Sequence, residues 1–254
     1  MPLTPMMQQY VKTKEEYKDC ILFYRLGDFY EMFFEDALTA SKELEITLTG
    51  KDCGLDERAP MCGVPYHAVD SYLNKLVSRG YKVAICEQVE DPKQAKGLVK
   101  REVVRIVTPG TNLDTQALDE TKNNYLMCIA CMSDRFGVSV ADITTGEYLV
   151  TELESEQKLM DEITKYAPSE IICNQSLLVS GVEMEDLKGR LGITVFSLEN
   201  WYFDDELCHR ALLEHFHVSA LEGLGLQDYD CGTIAAGALL QYLKETQKTG
   251  IGNL

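Results

Sequence analysis

The chain has 254 residues, of which 45% are hydrophobic and 26% are charged, which is ordinary for a globular protein. This composition excludes long disordered or low-complexity stretches, and no apolar run is long enough to predict a membrane-spanning helix. The formal net charge of −17 argues against a nucleic-acid partner, because phosphate binding requires local positive charge.

The first half of the chain predicts an α/β domain with a mixed sheet. A helix is expected from Thr4 and Pro5 towards Tyr17, because threonine caps helices and proline suits the first helical position. The other predicted elements are strands at 21–26 and 29–34 around a turn at 27–28, a helix at 35–44, a polar loop at 55–59, a proline-stiffened segment at 60–65, a helix at 68–78, and strands at 81–88 and 102–107.

The second half begins after a turn-rich stretch at 108–112, so we predict two domains, 1–113 and 114–254. Its predicted elements are strands at 125–132, 136–143 and 147–153, a helix at 155–166, a strand at 170–173, and helices at 204–216 and 231–246. Three strands followed by helix, strand and helices are typical of a ribonuclease-H-like α/β domain. The last residues, 248–254, contain glycine and no helix cap, and we interpret them as a cut in a linker.

The negative charge belongs almost entirely to the second predicted domain. Residues 1–113 carry 15 basic and 17 acidic side chains, a net charge of −2, whereas residues 114–254 carry 9 and 24, a net charge of −15. Within the first domain, 93–105 has five basic residues against one acid. This segment could meet phosphates even in an acidic chain, although a solvated loop and edge strand would have the same composition.

The nine cysteines are scattered, odd in number and preceded by no apolar signal segment, which indicates reduced thiols. Cys128 and Cys131 form a CxxC within a predicted strand, where positions three apart point to opposite faces. No second Cys/His pair at ligand spacing completes a zinc site there. The Cys208–His217 stretch is more simply a polar helix face, and we predict no metal site.

The segment Gly27–Phe33 (GDFYEMF) is a turn followed by an aromatic strand, on which Phe29 and Glu31 point to the same side. Aromatic residues at this spacing commonly fill a core, and that interpretation stays open. Alternatively, an apolar side chain can enter a base step and kink the duplex. A carboxyl group beside it could bond to a base edge, and would contribute discrimination rather than affinity because it repels phosphates.

Four blocks in this order resemble the mismatch-recognition domain of the bacterial MutS family. They are 27–33 (GDFYEMF), 61–68 (MCGVPYHA), 83–88 (VAICEQ) and 103–111 (VVRIVTPGT). The second half is similar to the family's connector domain, ending at 239–247 (LLQYLKETQ). The resemblance covers almost the whole chain and implies that it is an N-terminal fragment. No Gly-x-x-x-x-Gly-Lys-Ser/Thr motif occurs, so we expect no ATP hydrolysis by this chain.

The resemblance also implies roles for individual residues. Phe29 would stack on a mispaired or extrahelical base, and Glu31 would bond to that base. The stretch Val64–His67 is similar to the loop that flanks the wedge at the DNA backbone, which makes Pro65, Tyr66 and His67 candidate contacts. Charge alone adds candidate phosphate neighbours, which are Lys93, Lys96, Lys100 and Arg101, whereas we expect Arg105 to be partly paired within its strand.

For the rest of the protein the resemblance implies mismatched double-stranded DNA, MutL and a second MutS subunit as partners, in the bacterial cytoplasm at the nucleoid. The connector would relay signals to an ATPase domain that holds ATP and Mg²⁺, while residues 1–254 would need no cofactor. His209, Arg210 and Ala211 are candidate MutL contacts, although the sequence at 208–211 departs from the family pattern.

Two other functions stay open. A ribonuclease-H-like domain can be a metal-dependent nuclease, and Asp142 stands where a metal carboxylate could sit, with Glu154, Glu156 and Asp161 further along the chain. Those three residues suit a helix start equally well. The third alternative is a protein-interaction module that never touches DNA.

Overall fold

The computed structural model describes residues 2–113, 122–248, 251, 252 and 254. The backbone forms two compact units, Met1–Asp114 and Thr115–Leu254. Asp114, the first residue of the predicted second domain, lies outside the described residues, as does part of the predicted linker at 248–254. Within the described residues, every helix is too short or too polar to cross a membrane.

The first unit is built on a six-stranded mixed sheet with the order β3-β4-β2-β1-β5-β6. Strands β1 and β5 run parallel, and the other neighbouring pairs run antiparallel. The strands are β1 (Ile21–Leu26), β2 (Phe29–Phe33), β3 (Thr49–Lys51), β4 (Ala59–Pro65), β5 (Val83–Gln88) and β6 (Arg101–Val107).

Helices cover both faces of this sheet. They are α1 (Pro5–Glu16), α2 (Phe34–Leu44) and α3 (Val69–Ser78), with 3-10 turns at Tyr66–Ala68 and Pro109–Thr111. The predicted cap of α1 is confirmed, since the Thr4 hydroxyl accepts a hydrogen bond from the Met7 N–H at 3.4 Å. Helices α2 and α3 pack on one face through Ala40 and Leu76, and α1 packs on the other through Tyr10.

Two predictions for this unit were wrong. The proline-stiffened segment at 60–65 is strand β4, whose side chains alternate between the two faces, with Cys62 on one and Met61 on the other. Its prolines stand near the strand ends, where a missing N–H is tolerated. The strand predicted at 29–34 ends one residue early, because Phe34 takes a left-handed φ of 53° and begins α2. Strand β3 was not predicted.

The second unit is built on a five-stranded mixed sheet with the order β11-β10-β7-β8-β9. Strands β7, β8 and β9 form an antiparallel meander, and β10 and β11 run parallel to β7. The strands are β7 (Leu126–Met132), β8 (Arg135–Asp142), β9 (Glu147–Leu153), β10 (Glu170–Cys173) and β11 (Thr194–Ser197). The mixed α/β class predicted for both halves is therefore confirmed.

Helices also cover both faces of the second sheet. They are α4 (Glu156–Tyr166), α5 (Gln175–Leu178), α6 (Glu185–Leu191), α7 (Asp205–Phe216) and α8 (Asp230–Gln247), with 3-10 turns at Asn200–Phe203 and Leu221–Leu224. Helix α8 lies so close to β8 that a Cβ built on Gly137 would be 1.9 Å from the Cys231 carbonyl oxygen. The sequence predicted neither β11 nor the short helices α5 and α6.

All nine cysteines are buried and carry free thiols. Cys128 belongs to the core on the α8 side of the sheet and Cys131 to the core on the α4 side, so the CxxC pair does point to opposite faces. Burial raises the pKa of the Cys173 thiol to about 12, because a thiolate is poorly solvated in an apolar core.

Candidate nucleic-acid interface

The strand directions bring the predicted site residues of the first unit to one end of its sheet. Strands β1, β4 and β5 end there, and β2 and β6 begin there. We call this end the tip, and it comprises the β1–β2 turn at 26–29, the segment 65–68 and the loop 89–100. Neighbouring strands lie about 4.8 Å apart, so β4 and β6 at opposite sides of the tip are separated by about 19 Å.

Phe29 is the exposed member of the aromatic run. Its side chain is 47% exposed, whereas Tyr30, Met32 and Phe33 are each at most 5% exposed. Tyr30 and Met32 fill the core beneath α2, and Phe33 packs towards α1. The core-filling interpretation therefore holds for those three residues and does not hold for Phe29.

Glu31 lies two residues further along β2, opposite Gly63 of β4. A Cβ built on Gly63 would be 3.3 Å from the Tyr30 carbonyl oxygen and in ordinary van der Waals contact with Glu31 Cγ at 3.5 Å and Phe29 Cδ1 at 3.7 Å, so both side chains lie close to this glycine. Lys51 of β3 reaches across β4, and its Nζ lies 2.7 Å from Glu31 Oε2. Glu31 is thus an ion-paired carboxylate beside an exposed aromatic ring.

Arg25 ties the parts of the tip together. Its Nε donates to the Gly27 carbonyl at 2.5 Å, its Nη1 lies 3.2 Å from Glu87 Oε2, and its guanidinium carbon lies 3.8 Å from the centre of the Tyr66 ring. Tyr30 donates its hydroxyl hydrogen to the other oxygen of Glu87. One guanidinium therefore holds the β1–β2 turn, the segment after β4 and the end of β5.

Burial raises the pKa of Glu87, and the neighbouring Arg25 charge lowers it by less. The carboxyl group consequently ionises less readily than an exposed glutamate, although it is paired. When it is ionised, Glu87 accepts hydrogen bonds from both Arg25 and Tyr30 and so links these two side chains beneath the tip.

Of the three predicted contacts beside the wedge, Pro65 lies opposite Phe29, and Tyr66 and His67 follow it in the chain. Pro65 pairs with Phe29 across the two strands, and the Tyr66 N–H donates to the Asp28 carbonyl at 2.8 Å. Tyr66 and His67 are exposed. The tip thus presents two exposed aromatic residues, Phe29 at the start of β2 and Tyr66 in the 3-10 turn that follows β4.

The four predicted basic contacts have different surroundings. Lys93 and Lys96 are exposed in the loop 89–100, whereas Lys100 is exposed and lies 3.0 Å from Glu102. Arg101 instead donates to the Arg25 carbonyl at 2.8 Å, to Gln9 Oε1 at 2.9 Å and to the Val99 carbonyl at 3.2 Å. Its guanidinium is occupied by these contacts within the first unit. Lys93, Lys96 and Lys100 therefore remain as candidate phosphate contacts.

Arg105, which we expected to be partly paired within its strand, donates from Nη2 to the Thr111 carbonyl at 2.6 Å, beyond the end of β6. Burial lowers the pKa of its guanidinium. Arg105 therefore ties β6 to the following turn.

In the second unit, the predicted partner residues lie on α7. His209 is half-buried and its Nδ1 lies 3.4 Å from Asp205 Oδ1, Arg210 is exposed, and Ala211 packs against the core formed with α8. Helix α7 therefore presents Arg210 as its exposed residue among the three.

Asp142 has a structural role in this unit. It is fully buried, and its carboxylate accepts from the Thr144 N–H at 2.8 Å, from the Thr144 hydroxyl at 2.6 Å and from the Asn124 N–H at 3.2 Å. Glu154 precedes α4, Glu156 begins it and Asp161 lies in its second turn, and all three side chains are exposed. In the parts of the chain that the structure describes, no cluster of three or more His, Cys, Asp or Glu residues could hold a metal ion.

Four further members of the site, Arg25, Lys51, Gly63 and Glu87, were not predicted from the sequence. Each lies on a different strand from Phe29 and Glu31, and only the sheet order brings them together. A glycine in a strand commonly marks a close approach, so Gly63 carried a usable signal.

Comparisons with known proteins agree on one family. Residues 4–116 match the family described as MutS domain I, and residues 124–254 match MutS domain II. A DNA mismatch repair protein MutS from Lachnoclostridium phytofermentans is 66% identical over 252 residues, covering 99% of this chain and 27% of that protein. Proteins of the same name from Acetivibrio thermocellus and Clostridium tetani are 54% and 49% identical, covering 99% and 100% of this chain.

This chain spans between a quarter and a third of the length of these relatives, since it covers 29% of the second and 28% of the third. Among solved structures, the catalytic core domain of BIV integrase aligns with 51% of this chain at 16% identity and a TM-score of 0.26, too low to support an argument. The family matches and these relatives cover nearly all of the chain, and the chain therefore belongs to the MutS family.

Proposed function

We propose that this chain recognises mismatched or unpaired bases in double-stranded DNA, with Phe29 as the wedge that stacks on the base. The observation that carries the proposal is the half-exposed Phe29 ring at the tip, on a strand whose other aromatic residues are buried. An aromatic side chain at the end of a rigid sheet can insert between base pairs while the hydrophobic core of the domain stays intact.

Mismatched sites make this probing selective. They have lost pairing and stacking, so that unstacking and bending them costs less than it does for a matched duplex. Stacking of a base on an aromatic ring contributes about 1–3 kcal/mol in single-stranded systems, which sets an upper guide. Selectivity of this kind depends on deformability rather than on a base code.

Glu31 bonds to the wedged base in this proposal. Its Oε2 is paired with Lys51, and Oε1 is the remaining acceptor beside Phe29. A carboxylate contributes no attraction to phosphates, so its role is to discriminate among bases. Pro65, Tyr66 and His67 would contact the backbone beside the wedge, and Lys93, Lys96 and Lys100 would neutralise phosphates along the loop 89–100.

The second unit serves as the connector in this proposal. Its strand order, with three antiparallel strands followed by two strands parallel to the first, supports a ribonuclease-H-like topology. The connector would transmit the state of the DNA to the ATPase domain and would dock MutL near His209, Arg210 and Ala211. The strongly acidic composition of 114–254 suits a protein partner better than DNA.

The remaining properties belong to the full-length protein. We propose that it acts as a homodimer at the nucleoid in the bacterial cytoplasm, and that ATP and Mg²⁺ bind outside residues 1–254. Most contacts to DNA phosphates would come from parts of the protein outside residues 1–254, because residues 1–113 carry a net charge of −2.

A competition binding experiment on the full-length protein tests the wedge. With Phe29→Ala, we expect the ratio of affinities for mismatched and matched duplex to fall by about tenfold or more, in line with the stacking contribution. The matched control is Leu55→Ala, which removes a similarly exposed apolar side chain from the β3–β4 loop at the other end of the sheet.

The Leu55→Ala protein should keep the wild-type ratio. If Phe29→Ala also keeps that ratio while the protein stays folded, the wedge assignment is wrong. If neither the wild-type protein nor the variant binds DNA at all, the protein-interaction alternative replaces it.

A further inference from the structure

We propose that Lys51 is a positioning residue for mismatch discrimination, which holds the Glu31 carboxylate in place and neutralises it while the base is tested. The proposal rests on the proposed function of Phe29 and Glu31 and extends it to a residue on a third strand. The juxtaposition that carries it is the contact of 2.7 Å between Lys51 Nζ and Glu31 Oε2.

The contact depends on the architecture of the sheet. Lys51 ends the edge strand β3 and pairs with Ala59, whereas Glu31 on β2 pairs with Gly63, so that the lysine side chain must cross β4 diagonally to reach it. Gly63 has no side chain to block the approach. The ammonium group also lies 5.8 Å from the centre of the Phe33 ring, a second favourable contact on this path.

The burial of the pair favours a fixed geometry. The Glu31 side chain is 16% exposed and that of Lys51 is 31% exposed, so water screens their attraction less than it would a surface pair. Lys51 holds one carboxylate oxygen and leaves Oε1 as the acceptor nearest to the wedged base. An unpaired carboxylate would rotate among several rotamers and would repel the phosphates on both strands.

Lys51 could instead be an ordinary phosphate ligand, and the two roles predict different results. A phosphate ligand contributes equally to matched and mismatched duplex and accounts for about 0.9 of the salt-dependence slope. A positioning residue acts through Glu31, so that its effect disappears when Glu31 no longer carries a charge. A double-mutant cycle separates these cases.

The experiment measures affinity for matched and mismatched duplex at several salt concentrations, using the full-length protein. The variants are Lys51→Met, Lys51→Arg, Glu31→Gln and the Lys51→Met, Glu31→Gln double variant. We expect Lys51→Met to lower the mismatch-to-matched ratio about fivefold, which corresponds to the upper range for a partly exposed ion pair. Lys51→Arg keeps the charge and should retain the ratio to within about twofold.

In the Glu31→Gln background, adding Lys51→Met should change the affinity for either duplex by no more than about twofold. It should also leave the salt dependence of binding unchanged. The proposal is overturned if Lys51→Met leaves the ratio unchanged, or if it weakens both duplexes equally in the Glu31→Gln background and lowers the salt slope. If Lys51→Met is unstable, Lys51→Arg and Lys51→Gln still decide, because the proposal requires the first to retain the ratio and the second to lose it.

Phe29→Ala in the same assay distinguishes a failure of the proposed function from a failure of the inference about Lys51. If Phe29→Ala loses mismatch preference and Lys51→Met does not, the inference about Lys51 fails while the proposed function stands. If Phe29→Ala keeps the preference, the proposed function fails, and the inference about Lys51 fails with it.

Discussion

Replacing Arg25 by methionine tests whether one guanidinium holds the tip together. Arg25 donates to the Gly27 carbonyl, pairs with Glu87 and lies over the Tyr66 ring. Methionine keeps much of the apolar stem and removes all three interactions. The variant should therefore loosen the turn that presents Phe29 without emptying the core.

The expected loss of stability follows from these three contacts. A hydrogen bond from a charged donor contributes about 1.5–3 kcal/mol, a partly exposed ion pair up to about 1 kcal/mol, and a cation–π contact about 0.5–1 kcal/mol. The contributions share one side chain and do not add, and methionine regains some packing. We expect a net loss of about 2–3 kcal/mol in the free energy of unfolding of the first unit.

Urea unfolding followed through NMR signals of the first unit measures this loss without interference from the second unit. Arg58→Met is the matched control, because Arg58 is an exposed arginine in the loop before β4, and surface changes of this kind stay within about 0.5 kcal/mol. Arg25→Lys should be intermediate, since lysine keeps the charge but lacks the planar fork. Equal stability of Arg25→Met and Arg58→Met would refute the assigned role.

Two further predictions concern packing and ionisation. Gly137→Ala should destabilise the second unit by about 3 kcal/mol or more in calorimetric unfolding, because its Cβ would lie 1.9 Å from the Cys231 carbonyl oxygen. In the control Gly189→Ala, in α6, the new Cβ would have no neighbour within 4 Å, and the free energy of unfolding should rise by about 0.5–1 kcal/mol. The reverse order of stability would contradict this packing. Carboxyl-carbon NMR should find the pKa of Glu87 above its ordinary value, so that its contribution to stability falls as pH rises from the ordinary to the raised pKa. Arg25→Met should raise that pKa further, whereas a pKa below the ordinary value would count against the assigned burial.

Local signals were sufficient for much of the fold. Thr4 and Pro5 predicted the start of α1 because capping acts within one helical turn. The spacing of Cys128 and Cys131 predicted opposite faces because strand geometry repeats every two residues. Strand β3 escaped prediction because Thr49–Lys51 is too short to show a period.

The site was predicted only in part. The motif around Phe29 and Glu31 is contiguous, so its residues could be identified together. Lys51 lies twenty residues away from Glu31 in the chain. The two side chains come into contact because the sheet order is β3-β4-β2, with Gly63 of β4 opposite Glu31. Arg101 shows the opposite case, since its charge suggested a phosphate contact while its guanidinium is occupied within the sheet.

Photocrosslinking from position 29 tests whether the Phe29 side chain contacts the mispaired base. The full-length protein would carry p-benzoylphenylalanine in place of Phe29 and would be irradiated on duplexes with one mismatch at a known position. We expect crosslinks at the mispaired base or its immediate neighbours, and these crosslinks should move with the mismatch when it is shifted along the duplex. Crosslinks spread evenly along the duplex, or equal yields on matched DNA, would contradict it.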